Sequence, residues 1–538
     1  MLRLLSLLLL LTALPALAAP PRLTLFITVD ALGSDLLLRS KPRLKGGLRQ
    51  LIDSGAFYPY ARYAYAKPRT APGHTTLATG ANPWRHGIVD NRIIDRATGK
   101  PERVFPDPAH PVLEAPLSQE DVSPANLMAE TFADRLRLST QEQGKVIALS
   151  GKARSAIPLA GRLGQAYWFD ETVGKFTTGT WYTKELPVWL KTFNAANPAE
   201  AWFSKTWEPA LPRTAYVGED DRPYEGEQYG LGRVFPHPLT GGLPSPGPQS
   251  YTAFAISPLS MELVVKAARA AIEGENLGKD EVPDVLAVSI SATDRVFHQY
   301  GPNSWEMQDT MHRLDKVVGD LVALAERAAG GRANLLVVLS ADHGGAAVPE
   351  HWAASGVGAE RVDPRALSKG LTEALRAQFG GDVTATVEEL DVYLGGKTLE
   401  GGKVDGAAVR RAAAAWLVKQ PAITLAVASD DLYTTPDVAG WVEPLRKGYY
   451  PGRSGDVLYV VKPFHVISAD SVGTNHGTPY SYDQLVPLIL AGKGVKPGIY
   501  PREISTTDVA PTVAALLEMN LPASAEGEPR HEALVPSR

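Results

Sequence analysis

The sequence predicts an α/β protein with a mainly parallel central sheet flanked by helices. Short runs rich in Val, Ile and Leu recur along the chain, as is typical of strands buried on both faces of a sheet. Polar turns and helical patterns follow most of these runs, which favours parallel strands joined by helices. With 538 residues, the chain is long enough for one large core with insertions or for two to three domains.

Five apolar segments are the clearest candidate strands. They are Leu23–Val29, Val146–Leu149, Val285–Ile290, Leu335–Leu339 and Leu485–Leu490. Two further segments, Met261–Ile272 and Met311–Ala328, space their apolar residues three and four apart, which indicates amphipathic helices. We expect these helices to cover the sheet.

Two long stretches interrupt this rhythm within the predicted catalytic domain, residues 20–538. Residues from about 165 to 255 are rich in Trp, Tyr, Pro and Gly with weak periodicity, which predicts a loop-rich insertion over the site. Residues from about 360 to 450 predict a small inserted α+β subdomain. Its elements are two helices and two strand-like segments, namely Pro364–Phe379, Gly406–Lys419, Val383–Leu394 and Ile423–Ala428.

The N-terminus has the pattern of a secretory signal peptide over residues 1–19. Arg3 supplies one positive charge, a leucine-rich run extends to Leu11, and small residues end the segment at Ala19. We therefore expect export to the periplasm or the medium, with no membrane anchor after cleavage. A retained anchor is the alternative, but the apolar run is short for a membrane span.

Composition narrows the classes of function. The sequence contains no cysteine, so the exported protein has no disulfide, and thiolate is excluded as a nucleophile or metal ligand. Any zinc must bind through His, Asp, Glu or hydroxyl groups. The net charge is −5, and no basic cluster interleaved with aromatics is present, which argues against a nucleic-acid polymer as partner. We expect a monomer.

Charged or metal-binding side chains follow four of the candidate strands. They are Asp30, the pair Lys152 and Arg154, the pair Asp294 and His298, and the pair Asp342 and His343. Because ligands bind outside the carboxyl ends of strands in open α/β sheets, we expect these groups to meet at one edge. Carboxylate and imidazole suit Zn²⁺ when thiolate is absent. His476, in a Gly-containing loop before the last candidate strand, completes the set.

Thr70 is the candidate nucleophile. Pro72 suits the first turn of a helix, and Thr70 falls near the N-cap, where unpaired N–H groups attract an anion such as phosphate. A threonine hydroxyl needs a base or a metal to become a good nucleophile. On this segment alone, a plain helix cap is the simpler interpretation.

Together these residues resemble the alkaline phosphatase superfamily, and in particular its single-chain bacterial alkaline phosphatases with a threonine nucleophile. The resemblance rests on motifs that run in order along nearly the whole mature chain. They are Asp30, Thr70-x-x-Gly73-His74, His86-Gly87-Ile88 with Asn91, Lys152-x-Arg154, Asp294-x-x-x-His298, Asp342-His343 and Asn475-His476-Gly477. The resemblance implies two zinc ions per chain. One would bind Asp294, His298 and His476, and the other Asp30, Asp342, His343 and the Thr70 oxygen.

The resemblance also implies hydrolysis of small phosphate monoesters through a phosphothreonine intermediate. The zinc ligands are shared with the phosphodiesterases of the superfamily, so they do not discriminate between the two activities. Lys152 and Arg154 favour a monoesterase, because an ammonium and a guanidinium match the extra charge of a monoester dianion. Asn91 would donate to a phosphate oxygen. The structural alternatives are a solvated strand-end pair for the two cations and a turn former for Asn91.

Two other functions stay open at this point. One is a phosphodiesterase or nucleotide pyrophosphatase of the same superfamily, and the other is a non-catalytic exported protein that binds zinc or phosphate. A sulfatase is disfavoured, because sulfatases need Cys or Ser in a Cys/Ser-x-Pro-x-Arg segment, and the Thr70 segment lacks it.

Overall fold

The computed structural model describes residues 19–119 and 122–535, so nearly all of the predicted signal peptide lies outside the described residues. The strands of the described residues are β1 (Leu23–Val29), β2 (Ala56–Arg62), β3 (Arg92–Ile94), β4 (Pro101–Arg103), β5 (Val146–Ser150), β6 (Gln165–Asp170), β7 (Lys175–Thr177), β8 (Thr206–Trp207), β9 (His237–Pro238), β10 (Asp284–Ile290), β11 (Leu335–Ser340), β12 (Arg361–Val362), β13 (Thr384–Glu388), β14 (Asp391–Gly395), β15 (Ile423–Ala428), β16 (Val457–Val461), β17 (Val466–Ile467), β18 (Leu485–Gly492), β19 (Gly498–Ile499) and β20 (Ile504–Ser505).

The α-helices of the same residues are α1 (Ser34–Ser40), α2 (Gly47–Ser54), α3 (Thr70–Thr79), α4 (Pro83–His86), α5 (Phe132–Ser139), α6 (Ala153–Ala160), α7 (Val188–Ala195), α8 (Pro248–Ile256), α9 (Ser260–Glu275), α10 (Ala292–Tyr300), α11 (Trp305–Ala328), α12 (Pro349–Ala354), α13 (Pro364–Phe379), α14 (Lys397–Glu400), α15 (Gly406–Leu417), α16 (Val442–Gly448), α17 (Ser481–Gln484) and α18 (Val509–Leu516). No helix among the described residues combines the length and the apolar character that a bilayer span requires.

A ten-stranded sheet forms the centre of the molecule, in the order β19-β2-β18-β11-β1-β10-β5-β6-β7, with β20 paired to β2. Strands β11, β1, β10, β5 and β6 are parallel to their neighbours within this group. The predicted fold class is therefore confirmed. The segment that begins at Leu485 is a strand as predicted, but β18 runs antiparallel to both β11 and β2.

Helices cover both faces of this sheet. Helices α9 and α11 contact each other, and α9 packs on β5 and β10. Helix α6 packs on the same two strands and contacts α3 and α5, so this second group lies on the opposite face. Strands β1 and β10 are buried along their full length, as expected for strands covered on both faces.

The predicted loop-rich insertion begins later than the sequence indicated. Its first segment, Gln165–Asp170, is β6 and extends the central sheet beside β5, and Lys175–Thr177 returns antiparallel as β7. The aromatic residues of β6 are buried in the main core. The aromatic composition therefore marks core strands here, and irregular structure follows only after β7.

The inserted α+β subdomain has its own four-stranded antiparallel sheet, in the order β13-β14-β16-β15. It also has its own apolar core, which includes Leu371, Val392 and Leu417. The prediction of a single strand-like segment over Val383–Leu394 is wrong, because the chain turns at Glu389 with a φ of 52° and forms a hairpin. Strand β16 also lies beyond the predicted end of the subdomain near residue 450.

A buried ionic cluster joins this subdomain to the main core. Lys67 lies in the loop between β2 and α3, and its ammonium contacts the carboxylates of Asp391 in β14 and, at 3.3 Å, Asp90. Burial disfavours the charged lysine, but these two carboxylates outweigh it and hold the pKa of Lys67 above its usual value. The two units are therefore held together by charges that water does not reach.

We predict that Lys67→Met destabilises the protein by about 3–5 kcal/mol, because it leaves buried carboxylates without their cation. The matched control is Arg411→Gln, which removes the exposed ion pair with Asp431 and should cost less than about 1 kcal/mol. Urea denaturation of both variants measures the two effects. Equal losses of stability would contradict a buried ionic junction.

Candidate functional site

Three buried carboxylates and one ammonium meet where the neighbouring strands β1, β10, β11 and β5 end. Asp30 follows β1, Asp342 follows β11, and Asp294 lies in the first turn of α10 after β10. Lys152 comes from the end of β5, and its Nζ donates to Asp294 Oδ2 and to Asp30 Oδ2, the latter at 2.9 Å. The strand order thus brings together the groups that the sequence placed on four separate strands.

The carboxylates carry more negative charge than Lys152 can balance. Burial opposes ionisation of Asp30 and Asp294, but the Lys152 ammonium and the neighbouring imidazoles together outweigh burial and lower the pKa of both. Burial also raises the pKa of Asp342 well above its usual value, and repulsion from Asp30 and Asp294 adds to this effect. Because the cluster favours additional positive charge, it suits a bound cation.

The first donor set consists of Asp294, His298 and His476, whose ligand atoms lie within 4.8 Å of one another. The distances from Asp294 Oδ1 to the Nε2 atoms of His298 and His476 are 3.2 Å and 3.6 Å. Asp294 and His298 are four residues apart on α10, as the predicted helical turn requires. These are the three residues expected to share one metal ion.

The second donor set expected from the sequence consists of Asp30, Asp342 and His343. His343 Nε2 lies 3.3 Å from Asp342 Oδ2 and 3.7 Å from Asp294 Oδ1. All three of these atoms are buried and lack a hydrogen-bond partner, which is costly unless another group pairs with them. Burial also lowers the pKa of His343 to about 3, so its ring is neutral at neutral pH.

The three candidate ligand histidines are oriented in the same way. In each, Nδ1 faces a backbone carbonyl oxygen, at 2.9 Å from Thr474 for His298, 3.2 Å from Pro68 for His476 and 2.9 Å from Gly344 for His343. A carbonyl only accepts hydrogen bonds, so Nδ1 carries the proton and Nε2 presents its lone pair. Histidines that bind metals in proteins are commonly fixed in this manner.

His74 also lies close enough to Asp30 and Asp342 to form a donor group with them. Both of its ring nitrogens already have partners, however. Nδ1 lies 2.8 Å from the carbonyl oxygen of Thr70, and Nε2 lies 3.0 Å from Ser289 Oγ. The hydrogen bonds support the interpretation that His74 holds the start of α3, and His343 remains the candidate ligand.

Thr70 is the first residue of α3, and the N-cap position belongs to Arg69. Thr70 is almost fully buried, and the next amide, Ala71 N–H, donates to Asn91 Oδ1 at 2.8 Å. Gly73 lets this helix approach the end of β11, because a Cβ there would lie 2.1 Å from the backbone oxygen of Asp342. Close packing therefore fixes Thr70 beside the second donor set.

A polar cavity of about 490 Å³ opens onto Asp294 and His298 of the first donor set. Among the predicted site residues, those that line it are Thr70, Asn91, Lys152, Arg154, Asp294 and His298. Since Asn91 accepts the Ala71 N–H through Oδ1, its Nδ2 amide is the group that it offers to a ligand. The remaining predicted ligands, Asp30, Asp342, His343 and His476, lie behind the cavity wall and are buried.

Comparison with known proteins identifies the family to which the chain belongs. A sequence model of the family described as Type I phosphodiesterase / nucleotide pyrophosphatase matches residues 24–362. Alkaline phosphatase PafA of Elizabethkingia meningoseptica is 32% identical over 524 residues, which cover 96% of this chain and 94% of that protein. This chain belongs to the alkaline phosphatase superfamily. Alkaline phosphatase PhoV of Synechococcus elongatus is 31% identical over 96% of this chain and 93% of that protein.

Solved structures of the superfamily agree with the fold. The crystal structure of wild-type alkaline phosphatase PafA superposes with a TM-score of 0.89 at 31% identity and covers 96% of this chain and 99% of that one. Murine ectonucleotide pyrophosphatase / phosphodiesterase 5 superposes with a TM-score of 0.54 at 14% identity, which shows a shared fold alone. The resemblance inferred from the sequence motifs is therefore confirmed at the level of the superfamily.

The sequence motifs did not indicate the residues that hold the segment of Thr70, the candidate nucleophile, in place. Arg69 Nη1 donates to the carbonyl oxygen of His476 at 3.0 Å and pairs with Glu389 at 2.8 Å, while Arg69 Nε lies 3.2 Å from Asp90. Asp90 precedes Asn91 and accepts its backbone N–H at 2.7 Å. One guanidinium therefore connects the segments of Thr70, Asn91 and His476 to the inserted subdomain.

The described lining of the polar cavity contains no aromatic ring other than that of His298. The sequence suggested that the Trp-rich region could roof it, but Trp168, Trp181 and Trp202 are all absent from the described lining of the cavity. Trp168 is fully buried in the main core. The insertion instead contributes Gly226 and Gln228 to the cavity wall, so the wall near the donor sets is polar.

We predict that Gly73→Ala destabilises the protein by about 1–3 kcal/mol, because the new methyl group meets the Asp342 backbone. Gly358→Ala is the matched control, since no atom lies within 4 Å of a Cβ at that position. The control should change stability by less than about 0.5 kcal/mol. Urea denaturation midpoints compare the two variants, and an unaffected Gly73→Ala protein would contradict the close approach of α3 to β11.

Proposed function

We propose that this protein is a zinc-dependent alkaline phosphatase that hydrolyses phosphate monoesters through a phosphothreonine at Thr70. The observation that carries the proposal is that Thr70, Lys152, Arg154, Asp294 and His298 line one polar cavity, where Lys152 joins Asp294 to the buried Asp30. Two relatives that match nearly the whole chain, PafA and PhoV, are named alkaline phosphatases, which supports the same reaction class. Inorganic phosphate would be the common product.

Two zinc ions per chain suit the donors. We infer that one binds Asp294, His298 and His476, and that the other binds Asp30, Asp342 and His343 together with the Thr70 oxygen. The unpartnered buried atoms of Asp294, Asp342 and His343 support this assignment, as does a donor set of nitrogen and oxygen without thiolate. When bound, the ions would lower the pKa of the Thr70 hydroxyl and stabilise negative charge on the leaving oxygen.

The residues of the chain then have distinct tasks. The Thr70 oxygen attacks phosphorus, the bond from phosphorus to the leaving oxygen breaks, and the leaving group departs as an alcohol after taking up a proton. Water next attacks the phosphothreonine at phosphorus, which restores the Thr70 hydroxyl and releases phosphate. Asn91, Lys152 and Arg154 bind the other phosphate oxygens throughout, where preorganised donors contribute most to catalysis.

The positions of Lys152 and Arg154 favour monoesters over diesters as the substrates. Lys152 lies between Asp30 and Asp294, which belong to different donor sets, and its ammonium is almost fully buried. Arg154 lines the cavity, and its Nε is buried without a hydrogen-bond partner. Two such cations match a phosphate dianion better than the single charge of a diester. A phosphodiesterase of the same superfamily is the second candidate, because the matching family is described by that activity.

We also propose that the protein is exported and acts as a monomer on small-molecule esters. The pattern of residues 1–19 supports export. The absence of cysteine is compatible with an oxidising compartment, where unpaired thiols would be a liability.

We predict that the purified protein hydrolyses p-nitrophenyl phosphate, loses this activity to a chelator and regains it with Zn²⁺. Thr70→Ala should lower kcat by at least about 10³-fold even when saturated with zinc. Thr70→Ser is the matched control and should retain most of the activity, because it keeps the hydroxyl. A Thr70→Ala protein with full turnover would remove the nucleophile assignment, and no turnover with Zn²⁺ in the wild type would favour a binding protein.

We predict that the paired substitution Lys152→Ala and Arg154→Ala lowers kcat/KM for phenyl phosphate at least about 10²-fold. The fall in kcat/KM for methyl phenyl phosphate, a diester, should be at least about tenfold smaller, because the diester lacks the second negative charge. Steady-state kinetics on both esters measure the two losses. A wild-type preference for the diester, or equal losses on both esters, would favour the phosphodiesterase.

A further inference from the structure

A second cavity of about 450 Å³ lies apart from the polar cavity and shares none of its lining residues. It is open to solvent on one side and is bordered by α1, by the N-terminal half of α11 and by the loop over residues 211–222. Its inner wall is apolar, with Leu36, Leu44, Tyr216, Met307 and Met311 all buried. Apolar cavities of this size are typical of sites for small organic molecules.

The cavity is also lined by three arginines and by no acidic residue among those described. Arg39 and Arg222 both donate to Asn303, and Arg43 Nη1 donates to Gln308 Oε1 at 2.8 Å. These acceptors are neutral, so they satisfy donors without balancing the charge. The carboxylate nearest to Arg39 is Asp35, at 3.5 Å, and that side chain is largely exposed to water.

The positive charges converge on one side of the cavity. Burial lowers the pKa of His351, which also lines the cavity, and the charges of Arg222 and Arg39 lower it further. Both guanidinium groups therefore lie near the same imidazole. Burial likewise lowers the pKa of Arg39, and the charge of the exposed Asp35 offsets this effect only in part.

We propose that this cavity binds an amphipathic organic anion, with an apolar chain against the leucine and methionine side chains and a carboxylate between Arg39 and Arg222. A guanidinium binds a carboxylate through paired N–H donors. The bound anion would supply the negative charge that the neutral acceptors on Asn303 and Gln308 do not. The buried apolar wall would supply most of the affinity by removing the chain from water. This site is independent of the proposed phosphatase activity.

Isothermal titration of the full-length protein with decanoate tests the proposal. Decanoate should bind saturably with a stoichiometry of one. Decan-1-ol, which lacks the charge, and acetate, which lacks the long alkyl chain, should each bind at least about tenfold more weakly. Saturating inorganic phosphate should leave the decanoate affinity unchanged. Trp305, which stacks on Tyr216 at 5.1 Å, should report the same binding through its fluorescence.

Two variants localise the binding. Arg39→Gln with Arg222→Gln should weaken decanoate at least about tenfold, while Arg365→Gln, at an exposed ion pair in the inserted subdomain, should not. Ala215→Trp, which fills the cavity from its exposed loop without changing an arginine, should weaken decanoate likewise. The proposal is overturned if decanoate does not saturate, if decan-1-ol binds equally well, if phosphate competes, or if both cavity variants bind as the wild type does.

Discussion

The crowding of three buried carboxylates around one ammonium, at the carboxyl edge of the central sheet, is the constraint from which the rest of the site follows. Asp30, Asp294 and Asp342 come from three adjacent strands, and Lys152 from the next. Buried negative charge is costly unless it is paired. The Nε2 atoms of three histidines lie within 4 Å of the same carboxylates, and a bound cation would pair with both kinds of donor.

Much of this arrangement could be predicted from the sequence, because the site residues directly follow strands that are continuous apolar runs. The bounds of β1 and the position of Asp30 are examples. Strand direction was not predictable, since apolar periodicity is the same for the parallel β1 and the antiparallel β18. The hairpin at Glu389 was also missed, because its turn contains neither glycine nor proline.

The contacts around Thr70, the candidate nucleophile, could not be predicted from sequence patterns. Arg69 immediately precedes Thr70, yet its partner Glu389 lies more than three hundred residues away in a separate subdomain. No local pattern links such a pair, because an ion pair across the chain has no periodicity. The subdomain does not line the cavity, but its Glu389 pairs with Arg69, which contacts the segment of His476. The two insertions thus differ, since the loop-rich one contributes directly to the cavity wall through Gly226 and Gln228.

The central proposal is that residues from adjacent strand ends would hold two metal ions, one for each donor set. A crystal structure of the zinc-loaded protein with phosphate, with anomalous data collected at the zinc edge, tests it most directly. We expect two anomalous peaks, one among Asp294, His298 and His476 and one among Asp30, Asp342 and His343, with phosphate beside Thr70. A single peak, or a second ion bound by His74 in place of His343, would contradict the account.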